Sequence, residues 1–273
     1  MLSEHAPGDD GGGGSPAASA ARKNARPILE LKGISKHFGA VEALREVDFE
    51  VYAEEVVALV GDNGAGKSTL IKTIAGTHQP DGGTVVFEGR EVKIHSPAGA
   101  TKLGIETVYQ DLALCDNLDV VANMFLGRER AEPGGLGPLD ELGMEKRSLD
   151  VLSSLNVTTI RSVRVPVASL SGGQRQSVAI SRAVMWNSKV VILDEPTAAL
   201  GVAQTAQVLA LVKRLREQGL GVVVISHNIQ EIFEVADRII VLRLGRRAAT
   251  FEHEKATPDD VVAAITGARA EAA

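Results

Sequence analysis

Short apolar runs, separated by polar and glycine-rich stretches, recur along the chain. Alternation of apolar and polar residues predicts strands at residues 28–31 and 47–52, and a fully apolar run predicts a buried strand at 56–60. A glycine-rich turn follows, after which the pattern predicts a helix over 67–75 and a strand over 84–88. The first part of the chain therefore predicts several strands and one strand–turn–helix unit.

From about residue 96 to residue 183 the apolar spacing becomes helical, with a loop predicted at 132–137. Strands are predicted again at 190–193, 222–225 and 238–242. A helix over 203–218 lies between the first two of these strands, and this order is typical of a parallel βαβ crossover. No internal repeat is visible, so the chain is predicted to hold one copy of its main domain.

The N-terminal stretch, residues 1–26, is rich in Gly, Ala, Ser and charged residues and is predicted to be a disordered tail. It also lacks the charged-then-apolar order of a secretory signal. No apolar run approaches the roughly 18–20 residues that a membrane span needs. If the protein works at a membrane, we expect it to do so as a peripheral subunit.

Composition narrows the class of protein. The 273 residues carry a net charge of −6 and are 44% hydrophobic, as expected for one or two globular domains. The acidic balance argues against a nucleic-acid partner, because nucleic-acid binders present basic surfaces. Cys115 is the single cysteine, which excludes an intramolecular disulfide and a multi-cysteine metal site.

A phosphate-binding loop lies between the predicted buried strand and the helix that follows it. The residues that fill the pattern G-x-x-x-x-G-K-[ST] are Gly61, Asp62, Asn63, Gly64, Ala65, Gly66, Lys67 and Ser68. The glycines let consecutive N–H groups point at phosphate oxygens, and the start of the helix adds a positive field. Lys67 is predicted to reach the β- and γ-phosphates, Ser68 to bind Mg²⁺ and Thr69 to bind the α-phosphate.

Two carboxylates end the predicted strand at 190–193. That strand would deliver Asp194 to the edge of the sheet beside the phosphate loop, where it can hold Mg²⁺, usually through water. Glu195 is then placed to act as the general base toward the attacking water, and Pro196 ends the strand.

A third motif decides the family. The sequence Leu170-Ser171-Gly172-Gly173-Gln174 stands 20 residues before the strand that begins at Val190. Ser171 is a helix cap, and the two glycines expose N–H groups at the helix start, which predicts a second anion site. Together with the phosphate loop, this motif makes residues 28–268 resemble the ATP-binding subunits of ABC transporters. The resemblance implies that Ser171, Gly172, Gly173 and Gln174 contact the γ-phosphate of ATP held by another subunit.

The resemblance also implies roles for three further residues. Phe38 matches the aromatic residue that stacks on adenine, and Gln110 matches the glutamine that touches Mg²⁺ and senses a membrane partner. His227 matches the histidine that contacts the γ-phosphate. The implied catalytic residues are thus Lys67, Glu195 and His227, and the implied Mg²⁺ ligands are Ser68, Gln110 and Asp194.

The implied fold is an α/β P-loop NTPase. It would combine a RecA-like core with N-terminal antiparallel strands and an inserted α-helical subdomain at about 98–183. The ATP-binding domain would cover residues 27–268, with a disordered tail at 1–26 before it and a short tail at 269–273 after it.

Details of the motifs favour a sugar importer. Residues 197–200 read Thr-Ala-Ala-Leu, and together with Gly-Asp-Asn-Gly at 61–64 and Gln-Asp-Leu-Ala-Leu at 110–114 they resemble ATPases of ribose, xylose and fructose importers. Gly201 replaces an aspartate that is usual in the family, which weakens any role of that loop in coupling. The implied function is ATP hydrolysis that energises monosaccharide uptake.

The implied setting is peripheral, at the cytoplasmic face of the cell membrane. The implied partners are a second ATP-binding subunit, either the same chain or a homologue, transmembrane permease subunits and, indirectly, a periplasmic or extracellular sugar-binding protein. The sequence does not identify the sugar.

Two other classes of protein share some of these features. A soluble ABC ATPase, for example of the iron–sulfur assembly type, stays open. The chromosome-maintenance type is excluded, because only 103 residues separate Lys67 from Leu170 and leave no room for a long coiled coil. A non-hydrolysing regulatory protein would be expected to lose Lys67, Glu195 or His227, and all three are present.

Overall fold

The computed structural model describes residues 26–131 and 137–268. The predicted tails at 1–26 and 269–273 lie outside these ranges, apart from Arg26, as does most of the loop predicted at 132–137. Within the described residues the strands form a four-stranded sheet and a six-stranded sheet, and helices pack around the larger one.

The smaller sheet is antiparallel, with the strand order β2-β1-β4-β5. Its strands are β1 (Leu29–Phe38), β2 (Val41–Val51), β4 (Gly82–Phe87) and β5 (Arg90–Val92). Both β1 and β2 are longer than the sequence pattern predicts. Their outer halves carry the fully buried Ile34 and Leu44 among exposed polar residues, and irregularities in the pairing of β1 with β2 interrupt the alternation there.

The larger sheet has the order β10-β9-β3-β8-β7-β6. Its strands are β3 (Glu55–Val60), β6 (Ile105–Val108), β7 (Val190–Asp194), β8 (Gly221–Ile225), β9 (Arg238–Arg243) and β10 (Arg246–Glu252). All neighbours are parallel except β10, which pairs antiparallel with β9 at one edge. The predicted βαβ crossover is confirmed, because β7 pairs parallel with β8.

The helices, in chain order, are α1 (Lys67–Ile74), α2 (Pro97–Leu103), α3 (Val120–Phe125), α4 (Glu141–Ser154), α5 (Gly172–Val184), α6 (Val202–Glu217), α7 (Ile229–Val235) and α8 (Pro258–Thr266). Asp119, Asp140 and Ser171 each cap the helix that follows them by accepting a backbone N–H. None of the helices among the described residues is both long and apolar enough to cross a membrane.

The helical prediction for 96–183 is wrong at β6. This strand pairs parallel with β7 from Ile105↔Val190 to Val108↔Leu193, so it belongs to the large sheet. Its four residues are too few for apolar spacing to separate a strand from a helix. The helices of this region that follow β6 are α3, α4 and α5, and the boundary of the inserted subdomain stays a prediction. The sequence pattern predicts none of the elements β5, β10, α7 and α8.

Two apolar clusters lie on opposite faces of the large sheet. Alternate residues of β3 divide between them, with Val56 and Val60 in one cluster and Val57 and Leu59 in the other. The first cluster includes side chains of α3 to α6, and the second includes α1 and the antiparallel sheet. This burial on both faces explains why the central strands are apolar runs.

A buried ion pair links the two sheets. Arg238, on β9, donates from Nε to Glu55 Oε1 at 2.8 Å and from Nη2 to the Glu50 carbonyl of β2 at 2.7 Å. The Glu55 side chain is fully buried and that of Arg238 is 8% exposed. The guanidinium therefore bridges the large sheet and the antiparallel sheet.

Candidate functional site

The phosphate loop leaves β3 at Gly61 and enters α1 at Lys67. Gly61 and Gly66 have φ of 150° and 106°, which L side chains rarely adopt. A Cβ on Gly61 would lie 2.2 Å from the Leu242 carbonyl oxygen, and one on Gly66 would lie 2.8 Å from the Ala43 carbonyl oxygen. Glycine is therefore required at both positions by packing as well as by backbone conformation.

The start of α1 offers backbone donors to a ligand. Its cap, Gly66, provides no side-chain hydrogen bond, and the first intrahelical bond runs from Leu70 N to Gly66 O at 2.9 Å. The N–H groups of Lys67, Ser68 and Thr69 precede that bond, so the helix itself supplies no acceptor for them. This geometry fits the phosphate groups of a nucleotide.

The Lys67 side chain folds back over the loop. Its Nζ donates to Gly61 O at 2.6 Å and to Asp62 O at 3.0 Å. Burial lowers the pKa of this ammonium, and the carboxylates of Glu195, Asp62 and Asp194 act in the opposite direction. The lysine is thus a buried cation that faces the carboxylate side of the site.

A cavity of about 690 Å³ brings most of the predicted site residues together. The predicted residues that line it are Asp62, Asn63, Gly64, Ala65, Gly66, Lys67, Ser68, Thr69, Gln110, Asp194, Glu195 and His227. The parallel order of the large sheet explains this convergence, because β3, β7 and β8 all end at the same edge. Ser68, Gln110 and Asp194 supply a hydroxyl, an amide and a carboxylate oxygen, a donor set that fits Mg²⁺.

The two carboxylates differ in their surroundings. Burial raises the pKa of Asp194, and the nearby Lys67, His227 and Lys72 oppose that rise. Burial likewise raises the pKa of Glu195, where His227 is the main opposing charge and Asp194 adds to the rise. Both groups are therefore stronger proton acceptors than ordinary carboxylates.

Glu195 sits in a strained backbone position. Its φ is 51°, in the left-handed region that residues with a Cβ seldom enter. Its N–H donates to Ile225 O at 2.9 Å, which fixes the backbone against the end of β8. His227 Nε2 lies 3.0 Å from Glu195 Oε1, with the glutamate side chain 15% exposed and the histidine side chain 60% exposed. The structure thus pairs the predicted base with the predicted phosphate-contacting histidine.

Several lining residues carried no recognisable motif. They are Val41, Glu42, Ala43 and Arg45 on β2, Ile225 at the end of β8, and Leu244 and Gly245 in the turn between β9 and β10. Val41 and Leu244 are 65% and 74% exposed, so the mouth of the cavity has an apolar rim. These residues come from elements that meet only in the fold.

Phe38 is not among the residues that line the cavity. It is 45% exposed at the end of β1, and its ring meets His78 edge-on with the centroids 5.1 Å apart. Lys36 Nζ lies 5.6 Å from the same ring. The adenine role of Phe38 stays a prediction.

The signature segment lies away from this cavity. Ser171 N donates to Gln174 Oε1 at 2.9 Å and Gln174 N donates to Ser171 Oγ at 3.4 Å, which completes a capping box at the start of α5. Gln174 Nε2 also donates to Thr159 O at 2.7 Å. A Cβ on Gly173 would lie 3.0 Å from Gln204 Cβ, so this turn packs closely on α6.

Gly201, which replaces the usual aspartate, caps α6. Its N–H donates to Gln204 Oε1 at 3.4 Å. A Cβ built here would have no neighbour within 4 Å, so the backbone leaves space for a side chain that the sequence omits.

Comparison with known proteins identifies the family. The family model described as ABC transporter matches residues 44–198. The chain is 49% identical over 247 residues to the fructose import ATP-binding protein FrcA of Rhizobium meliloti, covering 89% of this chain and 95% of that one. It is 46% identical over 239 residues to the xylose/arabinose import ATP-binding protein XylG of Sulfolobus acidocaldarius, covering 88% and 94%.

A longer relative and two solved structures agree with this match. The ribose import ATP-binding protein RbsA 1 of Rubrobacter xylanophilus is 45% identical over 81% of this chain, which spans 43% of that protein. The ADP conformation of MJ1267, an ATP-binding cassette of an ABC transporter, superposes with a TM-score of 0.72 at 26% identity over 90% of this chain and 97% of that one. The dimeric structure of MJ0796, a bacterial ABC transporter cassette, gives 0.69 at 27% identity over 83% and 99%.

These matches confirm the predicted P-loop NTPase fold. The family match includes the phosphate loop, the Ser171–Gln174 signature and both carboxylates, and the structural matches extend over most of the described chain. The chain belongs to the ABC transporter family, as one of its ATP-binding subunits.

Proposed function

We propose that this protein hydrolyses ATP, with Mg²⁺, to energise the uptake of a monosaccharide through partner membrane subunits. The observation that carries the proposal is the shared cavity, in which Lys67, Ser68, Asp194 and Glu195 converge at one edge of the large sheet. The names of the relatives, which import fructose, xylose or arabinose, and ribose, support the sugar class.

The phosphates would be held by the N–H groups at the start of α1 and by Lys67. That lysine would exchange its bonds to the Gly61 and Asp62 carbonyls for phosphate oxygens. Mg²⁺, held by Ser68, Gln110 and Asp194, would supply neutralisation of charge on the β- and γ-phosphates. Positioning and charge neutralisation supply most of the catalysis in this chemistry.

Glu195 would take the proton of the attacking water. Burial raises its pKa, which makes it a better base than an exposed carboxylate, and the nearby His227 and Lys67 oppose that rise. His227, 3.0 Å from the base, is placed to contact both the carboxylate and the phosphate end of the nucleotide.

We propose further that two ATP-binding subunits cooperate, and a homodimer is the simplest arrangement. The signature Ser171–Gln174 lies outside the cavity of its own chain, so it would serve the nucleotide of a second subunit. The dimeric structure of the related MJ0796 supports this arrangement.

The proposed partners are those expected for an ABC importer. Permease subunits would carry the sugar across the membrane, a periplasmic or extracellular binding protein would deliver it, and this chain would act at the cytoplasmic face. A soluble, non-transport ATPase is disfavoured, because relatives at 45–49% identity are named as import proteins.

The activity is tested by Glu195→Gln. We expect phosphate release to fall by at least about 100-fold while ATP binding persists, because a general base contributes about 10²–10⁴-fold. Glu217→Gln, at an exposed position at the end of α6, is the matched control and should hydrolyse like the wild type. Near-normal turnover in Glu195→Gln would exclude Glu195 as the base.

The sugar class is tested by reconstitution. Vesicles that contain the permease, this chain and internal ATP would be given labelled fructose, xylose or ribose together with the binding protein. Uptake of one of these sugars that is abolished by Glu195→Gln supports the proposal. ATP hydrolysis that no sugar and no permease changes would contradict the import function.

A further inference from the structure

The carboxylate of Glu231 joins the two loops that carry the predicted base and the predicted histidine. Glu231 lies in the first turn of α7, half-buried, and does not line the nucleotide cavity. Its Oε2 accepts a short hydrogen bond from Thr197 Oγ1, two residues beyond Glu195, and a second from Ser226 Oγ at 3.4 Å, directly before His227. One oxygen therefore holds both loops.

The other oxygen of Glu231 completes the arrangement. Oε1 accepts from Asn228 Nδ2 at 2.9 Å, while Asn228 Oδ1 accepts from Glu231 N at 3.4 Å. Asn228 N in turn donates to Ser226 Oγ at 3.0 Å. The loop around His227 is thereby bonded to the carboxylate on both sides of the histidine.

The backbone closes this network into a ring. Glu195 N donates to Ile225 O, which fixes the base to the end of β8, and Glu231 then ties the loop after Glu195 to the loop after β8. The strained φ of Glu195 needs such support, because a left-handed conformation persists only where surrounding contacts hold it. Thr197 and Ser226 are themselves 7% and 4% exposed, so water competes little for these hydrogen bonds.

We propose that Glu231 is a positioning residue for ATP hydrolysis, which holds Glu195 and His227 at their working separation through Thr197 and Ser226. This inference rests on the proposed ATPase function. Glu231 touches the loops of the base and the histidine and makes none of the described contacts with the phosphate loop. Its loss should therefore affect the chemical step more than nucleotide binding.

The test compares Glu231→Ala with the wild type in the full-length protein. We expect kcat for ATP hydrolysis to fall about 10- to 100-fold, since a misplacement of 1 Å can cost 10²-fold, while KM for ATP stays within about threefold. Glu231→Gln keeps an acceptor oxygen and should stay within about fivefold of the wild-type kcat. Thermal melting of each variant reports whether it folds.

Glu234→Ala is the matched control. Glu234 is on the same helix, and its half-exposed carboxylate pairs with Lys213 at 3.3 Å. Its removal takes a carboxylate from α7 without touching either loop, so kcat should not change. If Glu231→Ala behaves like Glu234→Ala, the proposal is overturned.

Thr197→Val removes one hydroxyl and keeps the shape of the side chain. It therefore tests whether Glu231 acts through its hydrogen bond with Thr197. If Glu231 acts through Thr197, this variant should lower kcat about 5- to 20-fold and should add little to the effect of Glu231→Ala, since residues of one network do not add. Fully multiplicative effects would exclude this route. Thr197→Val, which is expected to lower kcat by itself, keeps the test decisive if Glu231→Ala does not fold.

Two further outcomes are separated by the same assay. If Glu231→Ala lowers only the fraction of protein that binds ATP, with kcat per binding site unchanged, the residue is structural and the proposal is wrong. If the wild type binds ATP but releases no phosphate, the proposed function fails, whatever the variants do.

Discussion

At the scale of single residues, Glu195 combines two features that oppose stability. Its backbone is left-handed, and burial disfavours the charged form of its carboxyl group and so raises its pKa. Functional sites often keep such features because the rest of the fold compensates for them. The neighbouring Asp194 is a second carboxyl group whose pKa is raised by burial.

We predict that Glu195→Gln is more stable than the wild type at neutral pH. A carboxyl group with a raised pKa binds its proton more tightly in the folded state, so folding stability falls as pH rises from its ordinary value of 4.5 through the folded value. The variant removes that loss, and each 1 kcal/mol gained corresponds to about 2–4 °C in the melting temperature.

Melting curves at pH 7.5 and near pH 4.5 check the sign. The difference between variant and wild type should be clear at the higher pH and shrink toward the lower one. Glu217→Gln, at an exposed site, should show little difference at either pH. An advantage of Glu195→Gln that grows as pH falls would contradict the prediction.

Some residues around the cavity could be predicted from the sequence, and others are brought there only by the fold. The phosphate loop and the two carboxylates follow from motifs at the ends of apolar strands, and His227 follows from the resemblance to the ABC transporter family. Val41 and Leu244 line the same cavity, but one starts β2 and the other sits in a hairpin turn, so their proximity depends on how two sheets pack. Local sequence patterns do not predict contacts between residues that are far apart in the sequence.

At the scale of elements, the phosphate loop is fixed by its packing against β2 and the β9–β10 turn. A Cβ on Gly66 would lie 2.8 Å from Ala43 O, 2.9 Å from Leu44 Cδ2 and 3.6 Å from Gly245 Cα. A Cβ on Gly64 would meet nothing within 4 Å, although its φ is also positive, at 81°. Substitution of Gly64 therefore tests the backbone conformation alone, whereas substitution of Gly66 tests the backbone conformation together with steric contact.

We predict that Gly66→Ala weakens both stability and nucleotide binding more than Gly64→Ala does. Gly64→Ala should cost about 1 kcal/mol from its backbone conformation, and Gly66→Ala should cost about 1–3 kcal/mol more, since the backbone and Leu44 must move. Urea unfolding and ATP titration measure the two effects. Equal losses in the two variants would show that the contacts with β2 do not matter.

Strand β6 shows where a sequence pattern no longer identifies secondary structure. Strands β3, β7 and β8 are buried on both faces. They therefore appear in the sequence as continuous apolar runs, which predict buried strands. Strand β6 is shorter and carries Glu106 and Thr107 between two apolar ends, so its pattern also fits the helical region around it. Only pairing with β7 makes it a strand.

At the scale of the whole molecule, Arg238 connects the two sheets near the edge opposite the nucleotide cavity. Its guanidinium contacts the fully buried Glu55 and the backbone of β2, while Arg247 reaches Glu50 from a position that is 32% exposed. Arg238 thus makes a buried contact with β3 and β2, whereas Arg247, on β10, makes a partly exposed contact with β2.

We predict that Arg238→Ala destabilises the fold by about 3–5 kcal/mol, because it removes the partner of a buried carboxylate. Arg247→Ala should cost less than about 1 kcal/mol, as a partly exposed pair does. Unfolding in urea, followed by circular dichroism, measures both. A loss in Arg238→Ala no greater than that in Arg247→Ala would mean that the bridge does not hold the sheets together.

The capping box at Ser171 bears on how readily two copies would associate. Ser171 and Gln174 already satisfy each other, and Gln174 is also held to Thr159 O. The signature turn is therefore rigid before any partner arrives, so assembly would not have to freeze it. Association of two copies would then resemble the docking of preformed surfaces. Its rate would be set by orientation and charge, because little loop ordering would be needed.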